Sequence, residues 1–329
     1  MTMIHSLSVD SVADALLHAQ SRGVTVMVVL DGKNATSTDP AVTTIKQLTN
    51  HQFCLNSSGG HGCISTSADG DMHTKIFTFT STTDPNGVAR GNVVWFGSSN
   101  LTYATGPDAF NNAVTVYGDA TLAAGLNANF TDMWNRRHYS GNDYYDSASG
   151  RGYYQAAAAD AYASPEGAGQ TDTIVTRLND LTPDADCRLR VGMASVTTGR
   201  PQLVNLATRV PRRRVQGLDG HRYERRRRYR HEPVGLQRTP RRRCGHPPQG
   251  QGARQVLRGV RQVRHRPAVP RLHGLAERTQ DALGENDEIF VKMAPETGTA
   301  HPLYDAYYTH FNDAYNTGVT CSKSNFPCR

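Results

Sequence analysis

The chain has 329 residues, of which 37% are apolar, long enough for two domains or one large one with a modest core. Its net charge of +7 averages two unlike parts: residues 209–278 hold 21 Arg, no Lys and 4 acids (net +17), and the remaining 15 basic and 25 acidic residues give −10. No apolar run reaches the ~20 residues of a membrane-spanning helix, and no secretory signal peptide opens the chain.

The start reads as truncated, and Met1-Thr2-Met3-Ile4 resembles the leader of a cloning-vector fusion. Val9, Val12, Ala13, Leu16 and Leu17 stand at helical spacing and predict a helix over Val9 to Gln20, which Gly23 ends. Val24 to Leu30 is a β-branched run and predicts a buried strand, stopped by Asp31-Gly32. Residues 33–70 read as loop, with a helix at 40–50. Strands are predicted at Met72 to Thr80, Asn92 to Phe96 and Ala113 to Tyr117, and a helix at Leu122 to Trp134. The Tyr-, Ala- and Gly-rich stretch from 138 begins as an inter-domain connection and ends in a strand at Ala161 to Ser164. A helix at Thr171 to Leu181 and a buried strand at Leu189 to Val196 follow.

Part of this order is repeated. Asn111 to Val116, followed by Phe130 to Trp134, is matched by Asn286 to Val291, followed by Phe311 to Tyr315, and Ser6 to Leu30 is echoed by Met193 to Arg209. Two copies of one α/β unit, residues 1–150 and 151–329, each a mixed sheet flanked by helices with a site at their interface, is the economical reading. Cys54 with Cys63, and Cys321 with Cys328, bracket polar loops at spacings that suit short disulfide-closed loops of an exported protein. Neither pair has the two-residue spacing of a zinc knuckle, so no metal site is expected there.

His73-Thr74-Lys75 is a His-x-Lys on a strand, with both side chains on one side of it by alternation. Gly97-Ser98-Ser99-Asn100 follows at the end of the next strand. Cleaving a phosphodiester needs a nucleophile, positive charge for the non-bridging oxygens and hydrogen-bond donors around them. A neutral imidazole (His73), Lys75, and Ser98 with Asn100 supply these. The set resembles the phospholipase D superfamily, whose motif is His-x-Lys, then usually Asp, then Gly-Ser-x-x-Asn or a close variant; here Thr80 stands at the Asp position and the last spacing is shortened. The resemblance implies an α/β fold and two motifs, one per repeat or subunit. One His becomes a covalent phosphohistidine while the other protonates the leaving alcohol, and no metal or organic cofactor takes part. It further implies that Glu288 orients a catalytic His. The same place in the first repeat holds Ala113, beside Asn112, a residue read as structural. His61, His301 and His310 are read as ordinary polar residues.

The second motif is missing between Val196 and Asn286, where the Arg-rich segment lies. Read from the second base of each codon, with permitted third bases, Pro247 to Arg258 spells a run containing His-x-Lys, the His starting inside Ala253 and the Lys inside Gln255. In the same frame Leu272 to Arg278 permits Gly-Ser-Gln-Asn, and Val215 to His221 permits an apolar strand like Val24 to Leu30. The distance from Ala253 to Gly274 is 21 positions, against 24 from His73 to Gly97. Residues from about 207–211 to about 278 are therefore read as out of frame, with 209–278 disordered, no buried strand near 215–221 and the literal chain inactive or very weak. Cys187 would then have lost its partner, and Cys244 is an artefact of the frame.

These observations predict a secreted phosphodiesterase acting on phospholipid head groups, with His73, Lys75 and Glu288 catalytic, and Lys75, Ser98 and Asn100 on the phosphate. Two alternatives stand beside it: a nuclease of the same superfamily, and an inactive member whose Arg-rich arm binds nucleic acid.

Overall fold

The computed structural model describes residues 1–105, 109–180, 189–193, 200, 202, 205, 215–219, 271–273, 280–294, 296 and 300–317. The chain divides into two compact units, Met1–Asp180 with Arg271–Ala294, and Leu181–Pro270 with Pro295–Arg329. This division differs from a boundary at 150.

The first unit is built on a six-stranded mixed sheet of β1 (Thr2–Ile4), β2 (Met27–Leu30), β3 (Asn50–Phe53), β4 (Lys75–Thr83), β5 (Ala89–Gly97) and β6 (Ala113–Val116), in the order β3-β2-β1-β4-β5-β6. β1 to β3 run parallel, and β4 to β6 add antiparallel neighbours. The expected fold class, α/β with a mixed sheet flanked by helices, is what the unit shows. Thr2–Ile4 pairs with both β2 and β4 in the middle of the sheet, and all three residues are buried. Sequence periodicity missed it because three residues are too few to show a period.

Alternation sends Ile4, Val28 and Leu30 to one face. There they form a core with Ala13 of α1 (Asp10–Ser21) and Ala41, Val42 and Ile45 of α2 (Pro40–Ile45). α2 is started by Pro40, and the Asp39 carboxylate accepts the Ala41 N–H at 2.9 Å, as an N-cap does. α3 (Ala120–Trp134) packs on β2, β4 and β5 through a buried stripe including Leu122, Leu126, Phe130 and Met133. Asp119 caps it, accepting from Leu122 N at 2.9 Å.

A four-stranded antiparallel sheet completes the unit: β7 (Tyr153–Gln155), β8 (Ala159–Ala163), β11 (Arg271–His273) and β12 (Ile289–Met293), in the order β11-β12-β8-β7. Its helices are α4 (Thr173–Asn179) and α5 (Gln280–Gly284). In the second unit, β9 (Leu189–Met193) pairs in parallel with β10 (Val215–Asp219), and α6 spans Pro302–Thr317. The chain as written holds a strand at 215–219 and another at 271–273. The rest of the Arg-rich segment, Cys187, Cys244, and Cys321 with Cys328 lie outside the described residues. Among the described residues no helix is long and apolar enough to cross a membrane.

Candidate active site

The predicted strand at Met72 to Thr80 begins later, at Lys75, so His73 lies in the short connection before β4. Met72 forms a parallel bridge with Asp287, and His73 N donates to Asp287 O at 3.0 Å. That contact explains the shift: the backbone before Lys75 pairs with the segment leading into β12 and not with its neighbours in the large sheet.

The pairing sets His73 beside Glu288. His73 Nδ1 and Glu288 Oε1 are 2.8 Å apart, the imidazole 20% exposed and the carboxylate 3%. With Nδ1 carrying the proton donated to Glu288, the ring's lone pair sits on Nε2. Lys75 is buried, and its Nζ donates to His73 O at 2.6 Å. His73, Thr74, Lys75, Ile76, Gly97, Glu288 and Ile289 line one cleft. The structure therefore brings together His73, Lys75 and Glu288.

Ser98 and Asn100 are placed differently. The Ser98 hydroxyl donates to Asn111 Oδ1 at 2.9 Å and accepts from Asn112 N at 3.0 Å, while Ser98 N donates to Asn112 O at 2.9 Å. Ser98 thus ties its loop to the start of β6, and the loop enters the cleft lining through Gly97. Asn100 Oδ1 is buried with no hydrogen-bond partner among the described residues. Turning that amide over would place its NH₂ there, a donor suited to a phosphate oxygen.

Sequence reading missed His5. It follows β1, and its ring stands edge-on to His73 with centroids 4.5 Å apart. Burial, together with the nearby Lys75, His73 and Lys33, holds its pKa well below the ordinary value, so the imidazole is neutral at neutral pH. No spacing signal reports it, because 68 residues separate two side chains that only the β1–β4 pairing joins.

His61 lies beside two carboxylates. Its Nδ1 lies 3.5 Å from Asp71 Oδ1, and Asp31, His61 and Asp71 place ligand-type atoms within 4.8 Å of one another. The Lys33 ammonium is paired with Asp71, so a cation is already present in the group. Asp31 is buried, and its pKa is pushed up to about 7 by burial and by Asp71, against the N–H groups of Lys33 and Met72 that it accepts. Cys54 and Cys63 form the expected disulfide.

A family model described as "Cardiolipin synthase, PLD-like domain" matches residues 1–134. Among solved structures, the chain is similar to one titled as a phospholipase D family member, Nuc from Salmonella typhimurium. Identity is 21%, coverage is 41% of this chain and 76% of that one, and the TM-score is 0.30. No curated protein matches.

Proposed function

We propose, on the premise that this chain belongs to the phospholipase D superfamily through residues 1–134, that its site is that of a phosphodiesterase using His73 as a covalent nucleophile on phospholipid head groups. The His73–Glu288 pair carries the reading. A buried carboxylate on Nδ1 fixes the tautomer, leaves Nε2 free to attack phosphorus and stabilises the imidazolium that attack creates. Nε2 forms a bond to phosphorus as the bond to the leaving alcohol breaks. The alcohol takes a proton from a second histidine, and water then cleaves the N–P bond to release a phosphomonoester and regenerate His73. Lys75 supplies positive charge near the phosphate, and Ser98 and Asn100 set the loop that faces it.

The second histidine is the one read in the shifted frame near 253–255. We therefore assign activity to the frame-restored chain and expect the literal chain to be inactive or very weak. The Cys54–Cys63 disulfide supports an exported protein. Sequencing the coding DNA tests the frame: bases that spell no His-x-Lys there end that part of the reading. Both chains are then assayed on phosphatidylcholine vesicles, on single-stranded DNA and on a small chromogenic diester. Release of choline by the restored chain, abolished by His73→Ala and accompanied by an acid-labile phosphoenzyme, is expected. Cleavage of DNA alone would replace the lipid assignment with a nuclease, and full activity in His73→Ala would overturn the nucleophile.

A further inference from the structure

Glu288 reaches His73 because Asn286 to Glu288 run beside Asp71 to Thr74. Asp287 N donates to Asp71 O at 2.9 Å, Asp71 N donates to Asn286 Oδ1 at 2.9 Å, and Thr74 Oγ1 donates to Asp287 O at 2.9 Å. The backbone of Asp287 is thus shared with the segment that carries His73. Its side chain leaves in another direction, into the loop that follows the Cys54–Cys63 disulfide. There the carboxylate accepts three successive backbone N–H groups, from Cys63 at 2.5 Å, Ile64 at 3.0 Å and Ser65 at 2.7 Å. Consecutive N–H groups turned to one point form an anion nest.

Two glycines let the loop close this far. A Cβ on Gly62 would meet Ser65 Cβ at 2.8 Å and Asp287 Oδ2 at 3.4 Å, and one on Gly70 would meet Glu285 O at 2.3 Å. Asp287 is 0% exposed. A buried carboxylate without donors is costly, so the nest decides where Asp287 rests. Glu288 is the next residue, and a hydrogen bond of 2.8 Å weakens quickly as its atoms separate.

We propose that Asp287 is a positioning residue: seated on the N–H groups of Cys63, Ile64 and Ser65, it holds Glu288 against His73. Its catalytic consequence rests on the phosphodiesterase reading, but the hydrogen bond can be observed without turnover. In the ¹⁵N-labelled full chain as written, the imidazole Nδ1-bound proton of His73 is identified by its disappearance in His73→Asn. Glu288→Gln serves as the reference for a damaged pair. Asp287→Asn keeps the size of the side chain but removes the charge and one of its acceptor oxygens. We expect that proton to move upfield and to exchange with water at least about tenfold faster, as loss of one good hydrogen bond implies. Amide signals of β4 to β6 should stay in place, which a general loss of structure would not allow.

The double variant Cys54→Ser/Cys63→Ser should act in the same direction with Asp287 intact, and it carries the test if Asp287→Asn does not fold. An unchanged resonance and exchange rate in both folded variants would overturn the proposal. If no substrate is cleaved yet both variants disturb the resonance, the proposed function falls and the role of Asp287 stands. An active restored chain with an undisturbed resonance is the reverse outcome.

Discussion

Two regions of the first unit meet at His73, and they contribute differently. Residues 1–134 bring the sheet, Lys75 and the ring of His5; the short run Asn286–Glu288 brings two neighbouring carboxylates. Each region buries an aspartate completely, Asp31 and Asp287, both 0% exposed. Burial raises both, Asp31 to about 7 and Asp287 to about 6. Asp287 accepts three backbone N–H groups, whereas Asp31 accepts two and faces the like charge of Asp71. Burial sets the penalty on the charged form, and local donors and charges decide how much is offset. The C-terminal run places the buried Glu288 carboxylate on His73 Nδ1, with Asp287 beside it held by backbone donors.

The largest test of that contrast is Glu288→Ala. It leaves His73 Nδ1 without its partner, and turnover of the frame-restored chain should fall by up to about 10⁴-fold, the scale for losing the carboxylate that orients a catalytic imidazole. Glu288→Gln retains a side-chain oxygen that can accept from Nδ1 and loses only the charge, so its fall should be smaller. Steady-state kinetics should place both losses in kcat and not in KM. Equal losses of less than about threefold would reduce the run to scaffold and end the contrast.

The same contrast explains what could be read in advance. The main elements of residues 1–134 were legible, because α1, β2, β5 and α3 carry periodic apolar patterns of their own. β2 is shorter than its β-branched run: Val24 to Val26 precede the paired residues Met27–Leu30. β1, β3 and β7 span only three or four residues and carry no period. His73, Lys75, Ser98 and Asn100 were found by motif, and Glu288 by its place after the second repeat's expected motif. Motif spacing could not tell that Ser98 is occupied by Asn111 and Asn112, or that His5 and Asp287 stand next to the site. Those contacts depend on pairings between residues 13 to 224 positions apart, which one-dimensional spacing does not encode.

A second test uses pH on the N-terminal side. The Asp31 carboxyl is raised from 3.8 to about 7 on folding. Its contribution to stability is therefore fully present below about pH 4, the unfolded value, and is lost as pH rises through about 7. A rise of that size sets a ceiling of about 4 kcal/mol on the loss. Urea unfolding at pH 5 and pH 8 should show the wild-type chain losing stability between the two, and Asp31→Asn losing less. The substituted amide cannot ionise, and its one oxygen still accepts an N–H from Lys33 or Met72. Equal losses in the two proteins would show that the carboxyl does not titrate in this range.

The smallest effect is expected at His5, where the N-terminal region supplies shape without charge. His5 Nδ1 is buried with no hydrogen-bond partner among the described residues, and the ring is held neutral by burial and the surrounding cations. Its contribution is then the edge-on contact with His73. His5→Phe keeps a ring there and removes the unpartnered nitrogen, so stability should hold or rise by up to about 1 kcal/mol. Turnover should stay within about threefold of the parent, since edge-to-face ring packing is retained. His5→Ala opens a cavity beside the imidazole, costing about 1–3 kcal/mol in stability, and frees the His73 ring to tilt away from Glu288. Turnover should then drop by about tenfold, equivalent to one weakened hydrogen bond. If Phe is as damaging as Ala, the nitrogen of His5 matters and its ring does not. His5 would then supply chemistry as well as shape, and its place in the division between the two regions would have to be redrawn.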